Sequence, residues 1–248
     1  MTGSRYDAVT FDFWNTLVWE EAGHLRGLRA EAWAGLLEEA GFATERSLLD
    51  AVFDRAWERY VHHWTSNQQY QSVQAAEEIL EQLGFPVPMH VRRELIDVYT
   101  GVGRQATLHL TQGIEACLRT LKGAGLRLGI ICDVGMTPSD QLREHLDARG
   151  LLELFDHWSF SDEVGHYKPS PVIFEHALGG LGGVDPARAA HVGDIRRTDI
   201  AGARAMGMTA VRYTGISDDQ SQPEPEGHHV VADYAELPGL LLDEAIRN

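Results

Sequence analysis

Three short apolar runs each end in a carboxylate: Ala8 to Asp12, Leu128 to Asp133, and His191 through Gly193 to Asp194. Apolar runs of this length, stopped by a polar residue and a turn, read as buried strands of a parallel sheet. Ligands bind beyond the carboxyl ends of such strands. If the three strands are neighbours, carboxylates from distant points of the chain converge there. Crowded like charges raise one another's pKa, and a hard divalent cation with oxygen ligands relieves that crowding. The bland alternative for each aspartate is a turn cap.

The elements that would position these groups follow from periodicity. After a first strand at Asp7 to Phe11, positions 20–104 carry helical spacing and no convincing strand. Leu25, Leu28, Trp33, Leu36 and Leu37 form one apolar stripe. Leu48, Leu49, Val52, Phe53, Ala56, Trp57 and Tyr60 form a second. Helices over Val73 to Leu83 and Val91 to Tyr99 follow, separated by Gly84, Pro86 and Pro88. From Leu110 onward helices and strands alternate. Strands are expected at Leu128 to Cys132, Trp158 to Phe160, Ala190 to Val192, Thr209 to Arg212 and His229 to Val231. Helices fall at Ile114 to Ala124, Ser139 to Arg149, Pro171 to Leu181 and Asp199 to Met206. Alternation of this kind predicts an α/β fold, a doubly wound parallel sheet interrupted early by an all-helical insertion. The expected division is a core of 1–19 and 105–248 with a helical cap at 20–104. Ser217 to Gly227 reads as a solvated loop.

The 248 residues, 44% hydrophobic, suffice for one large core or a core plus a smaller domain. The formal net charge of −16 argues against nucleic acid or an anionic membrane as partner. Cys117 and Cys132 form neither a disulfide framework nor a zinc-ligand spacing. No signal-peptide pattern opens the chain and no apolar stretch is long enough to span a bilayer, so the expected location is the cytoplasm.

The run Phe11-Asp12-Phe13-Trp14-Asn15-Thr16-Leu17, the pair Lys168-Pro169, and Gly193-Asp194 followed by Asp199 resemble the haloacid dehalogenase-like (HAD) hydrolase superfamily, over nearly the whole chain. The resemblance implies a Rossmann-like core with a C1-type helical cap. It places Asp12 as nucleophile and Lys168 as the cation beside it. Magnesium is the implied cofactor, held by Asp12, the backbone carbonyl of Trp14 and Asp194, with Asp199 in support at a helix start. A small, phosphorylated metabolite is the implied substrate, and a monomer or homodimer the implied assembly.

Two positions depart from the family's phosphatases. Those enzymes carry an aspartate two residues after the nucleophile as general acid and base; here that residue is Trp14, which shuttles no proton. General acid-base assistance is worth about a hundred- to ten-thousand-fold, so simple phosphomonoester turnover should be slow unless another group substitutes. The Ser or Thr that would donate to a phosphoryl group at the end of the second core strand is replaced by Cys132, followed by Asp133. A thiol is a weak donor, and Asp133 is either a turn residue or a relocated proton shuttle. Trp14, Cys132 and Asp133 are therefore the expected substrate-side residues. In the cap, His24, Arg26, Arg29, His62 and His63 are candidates for anion binding or proton supply, or else ordinary helix residues. Carbon–halogen hydrolysis and a catalytically degenerate binding protein remain the alternative readings.

Overall fold

A computed structural model describes residues 5–221 and 223–242. The first four and last six positions of the expected core, and position 222 in the expected loop, lie outside them. The chain forms two compact units, one of Met1–Trp19, Leu108–Asp133 and Leu146–Asn248, the other of Glu20–Thr107 with Val134–His145.

The first unit is built on six parallel strands: β1 (Ala8–Phe11), β4 (Arg127–Cys132), β5 (His157–Phe160), β6 (Ala189–Gly193), β7 (Thr209–Tyr213) and β8 (His229–Val231). Their order is β5-β4-β1-β6-β7-β8. β1 and β6 are buried at every position, as strands covered on both faces must be. β1 pairs Phe11 with Ile130 on one side and with Val192 on the other. The chain runs outward from β1 through β4 to β5, then returns to β6 and runs the other way. The order reverses between β1 and β6, so the crevice beyond their carboxyl ends is the topological switch point. Asp12 and Asp194 follow those two strands directly.

One face of the sheet is covered by α8 (Pro171–Gly180) and α9 (Ala201–Ala205), through Ile173, Phe174, Ala177, Leu178 and Ala203 packed on Ala8, Ile131, Ala189 and Ala210. Each large apolar side chain buried there contributes about 1.5–3 kcal/mol. α5 (Ile114–Gly123) packs on β4 and on α10 (Leu237–Leu241). Two features were not read from the sequence. Val18–Trp19 (β2) and His109–Leu110 (β3) form a two-residue antiparallel ribbon, too short to show alternation. The expected helix start at Asp199 is instead a π-helical turn, Arg196–Ile200, leading into α9.

The second unit contains α1 (His24–Glu39), α2 (Arg46–Thr65), α3 (Ser72–Gln82) and α4 (Met89–Gly101). Its centre is Trp33, fully buried, with Phe53 and Tyr99 edge-on at ring distances of 5.6 and 5.8 Å and its indole donating to Leu95 O at 2.8 Å. Most of α6 (Ser139–Asp147) belongs here as well.

Candidate active site

The loop after β1 is set by short-range bonds. The Leu17 and Val18 amides both donate to Phe13 O at 2.9 and 3.0 Å, and Asn15 N donates to Val18 O at 2.7 Å. Closing this turn puts Asn15 at φ 55°, a left-handed conformation that asparagine tolerates better than most residues. Thr16 O accepts from Thr111 Oγ1 at 2.7 Å and from the Tyr234 hydroxyl at 2.8 Å, tying the loop to distant parts of the unit. Trp14 is half-buried, its ring 5.3 Å from Phe13 and nearly perpendicular to it.

Lys168, 1% exposed, is the hub. Its Nζ donates to Asp12 Oδ1 at 2.5 Å, to Asp199 Oδ1 at 2.6 Å and to Ile131 O at 2.9 Å, which uses all three ammonium protons. Burial works against its charge, but Asp12, Asp199 and Asp133 outweigh it and hold the pKa well above that of an ordinary lysine. The Lys168 amide donates to Asp133 Oδ1 at 2.8 Å.

The π-turn explains Asp199. Asp199 N and Ile200 N both donate to Ile195 O, and the Asp199 Oδ2 accepts from Ile195 N at 3.0 Å. The carboxylate thus curls back toward Lys168 rather than capping a helix. Its Oδ1 also meets His191 Nε2 at 3.1 Å, while Thr10 Oγ1 lies 2.9 Å from His191 Nδ1. A carboxylate only accepts, so Nε2 carries the proton and the threonine hydroxyl donates to Nδ1. Burial raises the Asp199 pKa, yet Lys168 and His191 override it and hold the carboxyl below its usual range. Burial keeps His191 below the usual histidine value, consistent with a neutral ring.

Gly193 is required by close approach: a Cβ there would lie 2.3 Å from Asp199 Cγ. Asp194, next in sequence, accepts from Asn15 Nδ2 at 3.3 Å. Burial, with Asp12 and Asp199 adding to it, raises the Asp194 carboxyl well above its ordinary value. Burial likewise lifts Asp12 to about 7 against the pull of Lys168. Asp12, Asp194 and Asp199 each offer a carboxylate oxygen, all within 4.8 Å of one another, a set that could hold a metal ion. Ionised, the three carboxylates would outnumber the one ammonium by two charges, and the donors are all hard oxygens, so the residues fit a divalent cation such as magnesium, whose charge would offset the burial that holds Asp12 and Asp194 up.

The structure therefore gathers Asp12, Lys168, Asp194 and Asp199 around one point, with Trp14 and Asp133 in the adjoining loops. Cys132 is completely buried, its Sγ 3.5 Å from Asp133 O; burial, then the Asp12 charge, push its thiol well up, so it is held as a neutral, weak donor. The helical unit uses its candidate cations internally. Arg26 pairs with Asp50 and Asp54, His24 accepts from Thr107 N, and Arg29 is 4% exposed and bonded to Tyr99 O, Met136 O and Thr137 Oγ1. The His63 ring stacks on Tyr70 at 5.0 Å, and His62 lines a cleft with Arg55, Arg59 and Glu78.

A family model for haloacid dehalogenase-like hydrolases matches residues 6–207. The chain belongs to this family. It is a hydrolase of the haloacid dehalogenase-like type. It is 30% identical to the human haloacid dehalogenase-like hydrolase domain-containing protein 3 over 84% of this chain and 81% of that one. The bovine form of that protein is 35% identical over 52% of this chain, spanning only 46% of its own length. The (S)-2-haloacid dehalogenase 1 of a Pseudomonas strain is 27% identical over 95% of this chain and 96% of its own. Among solved structures, a HAD phosphatase from Thermococcus onnurineus superposes with a TM-score of 0.63 at 25% identity, covering 95% of this chain and 97% of that one.

Three site residues escaped the sequence reading. Asn15 stood in the motif after Asp12 but was given no role of its own. His191 and Thr10 look inward from strands and read as core positions, although Thr10 beside His191 in the register of β1 and β6 is deducible once the strands are paired.

Proposed function

We propose that this hydrolase cleaves a small, phosphorylated metabolite through a covalent intermediate on Asp12. The observation that carries the reading is the Lys168 ammonium clamped between Asp12 and Asp199 at the switch point, next to Asp194. Lys168 holds Asp12 Oδ1 in place, and Oδ2 accepts no hydrogen bond among the described residues, so Oδ2 is the attacking oxygen. Its electron pair forms the bond to phosphorus as the P–O bond to the leaving group breaks. Water then attacks phosphorus, the bond to Oδ2 breaks, and the carboxylate is regenerated. Lys168 offsets charge developing on the phosphoryl oxygens.

Magnesium would be held by Asp12, Asp194 and the Trp14 carbonyl, with Asp199, whose two oxygens are already bonded, orienting rather than ligating. When bound, it would supply Lewis-acid polarisation of the phosphoryl group. Asn15 and Ile195 N keep Asp194 and Asp199 turned toward that point.

The test is phosphate release from a panel of phosphorylated metabolites, with magnesium or with a chelator, by wild type and Asp12→Asn. Magnesium-dependent release that disappears in Asp12→Asn is the expected result. Release that survives the substitution would remove Asp12 from the mechanism. The likeness to a Pseudomonas (S)-2-haloacid dehalogenase along nearly the whole chain favours carbon–halogen hydrolysis as the second reading. Halide release from 2-haloacids, insensitive to chelator, would establish it in place of the first.

A further inference from the structure

We infer that the site takes phosphoryl donors whose leaving group departs as a stable anion, namely acyl and aryl phosphates, and discriminates against alkyl phosphates. This rests on the phosphoryl-transfer reading above and goes on to name its substrate class.

The argument is an account of protons around Asp12. An alkoxide leaving group has the basicity of water's conjugate base, with a pKa of about 16, and must be handed a proton as the P–O bond breaks. A phenolate, at about 10, or a carboxylate, at about 4, leaves unaided. The proton-bearing side chains bonded around Asp12 and Lys168 have their protons committed. The three Lys168 ammonium protons go to Asp12, Asp199 and Ile131 O, and losing one would leave buried carboxylates unpaired. His191 is fully buried, and its one ring proton serves Asp199. The Cys132 thiol is fully buried and lies against Asp133 O. Asp199 accepts through both oxygens, from Lys168, His191 and the Ile195 amide. Asp133 accepts from the Lys168 amide at 2.8 Å.

The half-buried side chain two residues beyond Asp12 is the indole of Trp14, whose N–H is not acidic enough to protonate an alkoxide. Bond cleavage is balanced without an acid when the leaving oxygen keeps the P–O electron pair as a phenolate or carboxylate. The second step needs none either, because its leaving group is the Asp12 carboxylate itself, and the proton shed by the attacking water passes to the phosphate product.

The experiment is a leaving-group series: aryl phosphates of graded phenol acidity, acetyl phosphate and glycerol phosphate, with magnesium present. For wild type, kcat/KM should fall steadily as leaving-group pKa rises, and glycerol phosphate should lie at least about a hundredfold below the best aryl phosphate. Trp14→Asp should raise glycerol phosphate turnover by about a hundred- to ten-thousand-fold and flatten the series. Trp14→Phe, which keeps an aromatic side chain in the loop, should retain the steep dependence. A level dependence in wild type would overturn the inference while leaving the phosphatase reading standing. Turnover of no phosphoryl donor by wild type would overturn both.

Discussion

The most deeply buried long cation of each unit, Lys168 in the first and Arg29 in the second, is stabilised by opposite means. Lys168 in the first unit meets two carboxylates and a carbonyl; Arg29 in the second meets two carbonyls, a hydroxyl and the face of Tyr99 at 5.1 Å. Burial lowers the Arg29 pKa, with Tyr99 and Glu20 opposing, whereas the carboxylates drive Lys168 upward against burial. Neutral dipoles satisfy the guanidinium without adding charge, and the result is a closed structural clamp. Carboxylates over-compensate the ammonium, and the result is a pocket of surplus negative charge able to take a further cation. Burial of a charge does not by itself mark function. The sign of what is left over does.

The largest expected effect lies on the over-compensated side. Asp12→Asn should reduce turnover at least about a thousandfold, in line with the loss of a covalent nucleophile, while the melting curve stays cooperative, because an amide still fits beside Lys168. Lys168→Met should cost about 3–5 kcal/mol of stability in urea unfolding, the penalty for leaving buried carboxylates without their partner. Magnesium at a hundred times its dissociation constant should raise wild-type stability by about 2.7 kcal/mol, and Asp194→Asn should abolish that rise in a thermal-shift assay. Arg29→Met should cost about 1–3 kcal/mol for the acceptors it orphans, with no change in magnesium response. A weakened magnesium response in Arg29→Met would break the contrast between the two cations. The smallest effect belongs to the exposed Arg104, paired with Asp140 and Glu144: Arg104→Ala should cost under about 1 kcal/mol.

Much of this contrast was legible in the sequence on one side and almost none on the other. The strands ending in Asp12, Asp133 and Asp194 announce themselves because a parallel strand buried on both faces must be apolar throughout and must stop abruptly. His229 to Val231 was also read to the residue, although it is an edge strand whose Val230 is exposed. The polar spine of Thr10, His191 and Asp199 was not legible, since a buried histidine and threonine in strands resemble filler until the register is known. The π-turn was hidden because Arg196 to Ile200 suits an α-helix equally well in propensity. Arg29 was taken as a candidate anion binder or a solvated helix residue. Its acceptors at Met136 and Thr137 lie more than a hundred positions away, and no local pattern carries that information.

The polypeptide passes between the two units four times, at 19/20, 107/108, 133/134 and 145/146. The helical unit is therefore two threads, not one insert. A chimera that exchanges only 20–107 with a relative would leave Val134–His145 behind, and with it the acceptors that Arg29 requires. Any recombination that preserves the unit must move both threads together. The second thread begins immediately after Asp133, so the crossover that exchanges the helical unit falls beside the residue that accepts from the Lys168 amide.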